Sequence, residues 1–250
     1  MEEGSLRNRI AVVTGASSGI GTAVARALNA EGAHVALAAR REEALLEIQA
    51  GLDSGDGRKC MVCPTDVTDR EQVCSLVARI EEELGPVEVL VNCAGVMYYT
   101  LMKNRRAGEW ERTVEVNCKG ALNCVGAVLS GMLERGRGHI VTISSDAGRK
   151  VFPGLAVYSA SKFFVEALSQ GLRLETAGMG VKVTTIQPGN VATDLISISG
   201  DEEALEEYGQ PGDSRVLDPE DVAASVVHAL VQPGHVAVNE ILVEPRDEPI

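Results

Sequence analysis

The sequence predicts an α/β fold: one doubly wound parallel sheet of about seven strands flanked by helices. Three observations predict it. Short apolar runs alternate with helix-period stretches along the chain. The runs are nearly all apolar, as strands buried on both faces should be. No linker and no further internal repeat divides the 250 residues, so 1–250 reads as a single domain.

The elements follow in order. Residues 10–14 read as a strand, 19–31 as a helix and 34–39 as a strand. A Glu- and Leu-rich helix at 41–51 leads to a turn cluster, DSGDG, at 53–57. Residues 59–63 form the third strand. The helix at 69–84 then places Val73, Leu76, Val77, Ile80 and Leu84 on one stripe. Strand 88–92, a long helix at 109–133, strand 139–144, helix 155–176 and strand 181–187 continue the alternation. Helix 219–231 and strand 236–243 close it. One segment breaks the rhythm: 201–221 holds nine acids against one base, Arg215, a local charge of −8. It reads as a solvated helix and loop, or as a mobile flap over 193–217 that covers a site at the carboxyl ends of the strands. Its position after the sixth strand favours the flap; the acids themselves read as a solvated face.

Composition excludes several classes. Lys and Arg number 23 against 36 Asp and Glu, a formal charge of −13. That argues against a nucleic-acid binder and against a polybasic membrane-surface protein. With 45% hydrophobic residues the chain is not globally disordered. The opening MEEGSLRNR has no apolar run, nothing approaches ~18 uninterrupted apolar residues, and Asp247-Glu248-Pro249-Ile250 matches no targeting address. A soluble cytoplasmic protein is therefore expected. Cys60-Met61-Val62-Cys63 has C-x-x-C form, open to redox or half-zinc readings. It sits within an apolar strand and has neither a second pair nor a His pair at ligand spacing. Buried reduced thiols and no metal site are expected. His34, His139, His228 and His235 stand apart and receive no role.

Thr14-Gly15-Ala16-Ser17-Ser18-Gly19-Ile20-Gly21 follows the first strand and opens the first helix. Glycines there permit a tight turn and let the backbone approach a pyrophosphate, while the helix N-terminus offers free N–H groups to that anion. The spacing G-x-x-x-G-x-G differs from the commonest fingerprint, but strand–turn–helix context makes it a dinucleotide site rather than a plain structural turn. The second strand ends Ala39-Arg40-Arg41. An NAD site would carry an acid near there for the ribose 2′-hydroxyl; a guanidinium instead suits a 2′-phosphate. NADP is thus favoured over NAD.

With these motifs the sequence resembles the short-chain dehydrogenase/reductase family. The resemblance rests on residues 14–21, Asp66-Val67, Asn92-Cys93-Ala94-Gly95, Asn117, Ser144-Ser145, Tyr158-Ser159-Ala160-Ser161-Lys162 and Pro188-Gly189. It runs from about 8 to 245, in order and at family spacing. Cys93 departs from the family's usual second Asn. Residues 148–158 and 238–243 look like the branch of NADP-dependent 3-hydroxy-acid dehydrogenases and ketone reductases. The resemblance implies a single-domain Rossmann fold and hydride transfer between NADP(H) and a carbonyl or secondary alcohol.

It also implies site residues. Tyr158 is the acid–base, Ser145 its partner at the substrate oxygen, Lys162 the holder of the nicotinamide ribose, and Asn117 the holder of a relay water. Residue chemistry agrees: Tyr158 and Lys162 lie i, i+4 on one helical face, where an ammonium lowers a phenol's pKa toward the working range. The resemblance assigns cofactor contacts to Gly15, Ser17, Ser18, Gly19, Ile20, Gly21, Arg40 and Arg41. It assigns further contacts to Asp66, Val67, Asn92, Ala94, Gly95, Pro188, Gly189, Val191 and Thr193. A non-catalytic NADP-binding sensor on the same fold is the alternative, and the presence of Tyr158 and Lys162 weighs against it.

Met97, Tyr98, Tyr99, Val151, Phe152, Leu155 and Ile196 are candidates for an apolar substrate pocket, or for local packing. Arg149-Lys150 could bind a substrate carboxylate; the structural alternative pairs them with acids of 201–221 or of a neighbouring subunit. A small carbonyl or hydroxy substrate is expected as partner. By family analogy a homodimer or homotetramer pairs helices 109–133 and 155–176.

Overall fold

The computed structural model describes residues 6–52, 57–209 and 215–248. Most of the 53–57 turn, the stretch 210–214 of the expected flap, and Pro249 and Ile250 lie outside the described residues.

Seven strands form one parallel sheet in the order β3-β2-β1-β4-β5-β6-β7. They are β1 Ile10–Thr14, β2 His34–Ala39, β3 Cys60–Pro64, β4 Val89–Asn92, β5 Gly138–Ile143, β6 Val181–Pro188 and β7 Glu240–Val243. The helices are α1 Gly19–Ala30, α2 Glu42–Ala50, α3 Arg70–Glu83, α4 Ala107–Thr113, α5 Ala121–Glu134, α6 Ala156–Glu175, α7 Glu202–Tyr208 and α8 Pro219–Leu230. Strand order reverses between β1 and β4, and the carboxyl ends of these strands open the crevice where such sheets bind ligands.

The strands alternate faces, so neighbouring residues feed separate cores. Val13, Val35, Leu37, Val89, Val91 and Val141 pack with Val24, Leu28, Val222 and Val226 of α1 and α8. Val12, Ala36, Leu90, Ile140 and Val183 pack on the other face with Val73, Leu76, Ile80, Val128 and Met132 of α3 and α5. Asp69 caps α3 by accepting the Glu71 and Gln72 N–H groups. Asp218 and Asp221 form a capping box at α8.

Three local features differ from expectation. The long helix is continuous over 107–134, yet its middle, Val114–Gly120, winds as a π-helix around Asn117. By length and composition alone this helix would span a membrane; here its buried side joins the core beneath the site. The last strand is only four residues, an edge with alternating exposed and half-buried positions, not a strand buried on both faces. The acidic segment holds a short helix, α7, in keeping with its helix-and-loop reading. The acids are only partly a solvated face: Glu202, Glu203, Glu206 and Glu207 are exposed, but Asp201 is 4% exposed.

Candidate active site and dinucleotide crevice

The β1 turn is built by glycine. Gly15 and Gly19 have φ of +66° and +50°, where L side chains are strained. A Cβ on Gly15 would lie 2.8 Å from the Ala94 backbone nitrogen, and one on Gly21 would overlap the Gly15 carbonyl oxygen. Thr14 ties the turn to β4: its hydroxyl oxygen accepts the Cys93 and Ala94 N–H groups at 3.1 and 3.2 Å. Ser18 is the extended N-cap of α1, without a side-chain cap bond or first-turn acid. That leaves the helix terminus suited to an anion. Ile20 packs against the core below.

Arg40 and Arg41 are both exposed at the end of β2. One Arg41 nitrogen donates to the Ser17 carbonyl and hydroxyl oxygens, each at 3.2 Å. The fork thus already sits beside the glycine turn. Asp66 folds back to accept the Thr68 N–H and hydroxyl at 2.9 and 2.8 Å. Val67 is buried, and a Cβ on Gly120 would lie 2.7 Å from its methyl group. Sequence reasoning missed Gly120, whose role is visible only once Val67 is seen against the helix.

Asn92 is buried, and neither polar atom of its amide has a protein partner. It borders a cavity of about 10 Å³ shared with Thr14, Asn117 and Lys162, room for roughly one water. Gly95 is the close neighbour of this cluster: a Cβ there would lie 3.5 Å from Asn117 Oδ1 and 4.0 Å from Lys162 Nζ. Asn117 accepts the Val96 N–H and donates to the Val96 carbonyl and the Ser161 hydroxyl, all at 2.9 Å. The π-turn directs this side chain toward the crevice instead of along the regular helical stripe.

Tyr158, Ser145 and Lys162 converge on the carboxyl ends of β5 and β6, all buried at 7–8% exposure. Lys162 Nζ donates to the Ile143 carbonyl at 2.9 Å and lies 5.5 Å from the Tyr158 ring centroid. Burial lowers its pKa to about 8. Burial likewise pushes the Tyr158 phenol well above its usual range, opposed by a hydrogen bond with Ser145. This corrects the expectation of a phenol drawn down by the ammonium: desolvation is the largest cause, Asp146 and Tyr99 add to it, and Lys162 is not among the groups that lower it. Ser145 donates to Asp146 at 2.7 Å and accepts the Ala147 N–H at 3.1 Å.

The β6 end supplies the far wall. Gly189 N–H donates to the Val243 carbonyl at 2.9 Å, Pro188 pairs with Val243, and Val191 bridges Leu217. Thr193 reaches across to Gly19: its methyl would lie 3.1 Å from a Cβ there. The segment around 199–203 lies on the 99–104 loop. Asp201 accepts the Leu101 N–H at 2.9 Å, the Asn104 amide at 2.9 Å and the Ala204 N–H at 3.2 Å. Tyr99 and Phe152 pack with Met97 against Tyr158, Ala147 and Leu155. The Ile196 side chain lies outside the described residues.

Arg149 does not face the crevice chemistry. Its guanidinium donates to Gln187 and Glu240, each at 2.7 Å, and Arg173 shares Glu240 at 3.0 Å. Arg149 thus pairs with Gln187 of β6 and Glu240 of β7, not with the 201–221 acids. The C-x-x-C thiols are free, and burial raises both to about 11, which makes them poor nucleophiles. Among the described residues, no group of three or more His, Cys, Asp or Glu is placed to hold a metal ion.

The glycine turn, uncapped helix and arginine pair fit a dinucleotide with an extra phosphate, and the buried phenol, hydroxyl and ammonium fit proton transfer beside it. Known proteins share this sequence pattern and fold. The family model described as short chain dehydrogenase matches residues 9–204. Over 248 residues the chain is 64% identical to the glycine betaine reductase ATRR of Emericella nidulans, of whose length it spans 19%. An uncharacterized oxidoreductase of Staphylococcus aureus is 42% identical over 240 residues, 96% of this chain and 98% of that one. A serine dehydrogenase complexed with NADP+ matches at 32% identity and TM-score 0.86, covering 96% of both chains. An alcohol dehydrogenase from the archaeon Thermococcus sibiricus, complexed with 5-hydroxy-NADP, matches at 27% identity and TM-score 0.85, covering 97% and 98%. On its sequence match and its sheet, the chain belongs to the short-chain dehydrogenase family of oxidoreductases.

Proposed function

We propose that this protein uses NADP(H) to interconvert a small carbonyl compound and its alcohol, with Tyr158 as the acid–base residue. The observation that carries the reading is the buried Tyr158, gathered with the buried Ser145 at the end of β5 and set one helical turn from Lys162. When bound, the nicotinamide supplies or accepts the hydride.

The chain's own residues do the rest. Gly15, Ser17, Ser18, Gly19, Ile20 and Gly21 hold the pyrophosphate, and Arg40 and Arg41 pair with the 2′-phosphate. Asp66 and Val67 meet the adenine; Asn92, Ala94 and Gly95 line the ribose. Pro188, Gly189, Val191 and Thr193 flank the nicotinamide. Ser145 donates to the substrate oxygen as charge develops there. Tyr158, protonated at neutral pH, gives its proton to that oxygen during reduction. Lys162 holds ribose hydroxyls and stabilises the phenolate left behind. Asn117 fixes the 96 loop and a water that returns the proton to Lys162.

The relative named for glycine betaine brings carbonyl compounds with a trimethylammonium group into the set of substrates to test. Val114, Leu122, Phe163 and Phe164 are exposed on the two long helices, which supports pairing of those helices in a homo-oligomer. Six free thiols suit a reducing compartment, and we place the protein in the cytoplasm. The test is NADPH consumption by purified protein with a panel of ketones, aldehydes and 3-oxo acids. Consumption with at least one carbonyl class is expected. NADPH binding without turnover on any substrate would favour the sensor, and no NADPH binding would overturn both.

A further inference from the structure

We propose that Tyr99, Phe152 and Tyr208, with the Asp146 carboxylate behind them, form a cradle for a quaternary ammonium group, so that the carbonyl substrate carries a permanent positive charge. This rests on the carbonyl-oxidoreductase reading above and names its substrate class.

The aromatic residues are unevenly placed. The chain holds one Trp, four Tyr and three Phe, and half of these eight, Tyr99, Phe152, Tyr158 and Tyr208, gather at the substrate mouth. Gly154 is their hinge point: its φ is +73°, and a Cβ there would lie 3.2 Å from both the Tyr99 and the Tyr208 ring. The missing side chain lets the two rings close on the same stretch of backbone. The Thr100 N–H donates to the Gly154 carbonyl at 2.7 Å, and the Tyr99 N–H donates to the Ser199 hydroxyl at 2.9 Å. These bonds hold the three segments together. Tyr99, Phe152 and Tyr208 are each half-buried, so ring surface remains open to a ligand.

The charges favour a cation. Asp146 accepts the Ser145 hydroxyl and the Ala147 N–H, both at 2.7 Å, and both bonds fall on one oxygen. Its negative charge reaches Tyr99 and Tyr158 and opposes ionisation of each phenol. Partial burial and the Glu244 carboxylate disfavour the Asp146 charge, while the Ser145 and Ala147 hydrogen bonds and the Lys150 ammonium favour it; a bound cation acts in the same sense as that ammonium. Arg149, the base nearest in sequence that could attract a carboxylate, is committed to Gln187 and Glu240. Lys150 Nζ stands 5.7 Å from the Phe152 ring centroid, which shows that ring receiving a cation. Lys150 is exposed, so its ammonium competes only weakly. A net charge of −13 adds long-range attraction for cations.

Methylation state follows from the same geometry. A quaternary ammonium has no N–H to donate and is bound by ring faces and diffuse negative charge. The cradle offers ring faces and one carboxylate, one of whose oxygens is already in use. A substrate carboxylate would meet Asp146 unpaired and is disfavoured.

The test compares trimethylammonioacetaldehyde with its uncharged carbon isostere, 3,3-dimethylbutanal, both assayed with NADPH. The two differ in charge and hardly in shape. In the wild type kcat/KM for the cation should exceed that for the isostere by about tenfold or more, within reach of desolvated cation–π contacts. Tyr99→Leu and Tyr208→Leu should each lower the ratio about three- to tenfold, and Lys150→Ala should keep or raise it. Circular dichroism and NADPH affinity report whether each variant is folded. A wild-type ratio near one overturns the cradle and leaves the reductase reading intact. If neither aldehyde is reduced, tetramethylammonium binding to the NADP+ complex decides: saturable binding weakened in Tyr208→Leu supports the cradle, and no binding overturns it.

Discussion

Removing Arg41 should cost NADPH binding and spare NADH. The guanidinium donates to both Ser17 oxygens at 3.2 Å, so its charge is held at the glycine turn before ligand arrives. A phosphate charge about 4 Å away would gain about 4 kcal/mol at an effective dielectric of 20, but only about 1 kcal/mol in bulk water. Arg41 is exposed, so the wet limit governs, and about 1–2 kcal/mol is the expected loss, a five- to thirtyfold rise in Kd. Arg40, also exposed, should contribute about as much. Together the pair predicts a wild-type preference for NADPH over NADH of roughly 30- to 1000-fold at low salt. The preference should shrink as ionic strength rises. The assay is a fluorescence titration of both nucleotides against wild type, Arg40→Ala, Arg41→Ala and Arg41→Lys. Lysine restores charge without the fork and should recover only part of the loss. Equal wild-type affinities for the two nucleotides, or equal losses for both in Arg41→Ala, would refute the reasoning.

Three further outcomes are expected. Gly21→Ala forces a Cβ onto the Gly15 carbonyl and should weaken NADPH binding by about 100-fold or more. Gly108→Ala, with open space around its Cβ, should not; equal effects would reject a close-packed phosphate turn. His139 is buried, its ring nitrogen 2.8 Å from the Thr184 hydroxyl, and burial lowers its pKa to about 3. The unfolded chain therefore binds this proton from about pH 6.5 downward while the folded chain does not, so its contribution is lost as pH falls. Urea unfolding at about pH 7 and pH 4.5 should show wild type losing about 2–3 kcal/mol more than His139→Gln. Identical losses would show that the buried ring does not set the acid sensitivity. Asp201→Ala leaves the Leu101 and Ala204 N–H groups without this acceptor and the Asn104 amide with Glu203 alone, at a cost of about 1–3 kcal/mol. Hydrogen exchange should then quicken at 99–104 and 202–208, and KM should rise; unchanged exchange would mean that Asp201 does not hold these two segments together.

The sheet and the chemistry were legible for different reasons. Buried parallel strands leave unbroken apolar runs, so β1 to β6 stand in the sequence almost residue for residue. The glycine turn was legible because only glycine supplies positive φ and close approach together. Ser145, Tyr158 and Lys162 were legible through spacing and family resemblance, and the fold brings them together. What escaped depends on contacts far apart in the chain. The π-turn at Asn117 leaves the 3.6-residue pattern of 109–133 nearly unchanged. Asp201 resembles its exposed neighbours until Leu101 and Asn104 arrive from 100 residues away. Arg149 kept a site-base reading open beside the favoured structural one because sequence places it near Ser145; only the β6–β7 pairing reveals Glu240. The direction of the Tyr158 shift was misread because helical spacing shows the ammonium but not the burial that dominates the shift.

The most direct test of the account is Tyr158→Phe. The change removes one hydroxyl from a ring that also packs with Ala147 and Leu155, so the variant should fold and bind NADPH with near wild-type affinity. Single-turnover NADPH oxidation with a carbonyl substrate should nevertheless slow by about 10²–10⁴-fold, the loss expected when a positioned proton donor is removed. Full-rate oxidation in a folded, NADPH-binding Tyr158→Phe variant would contradict the account.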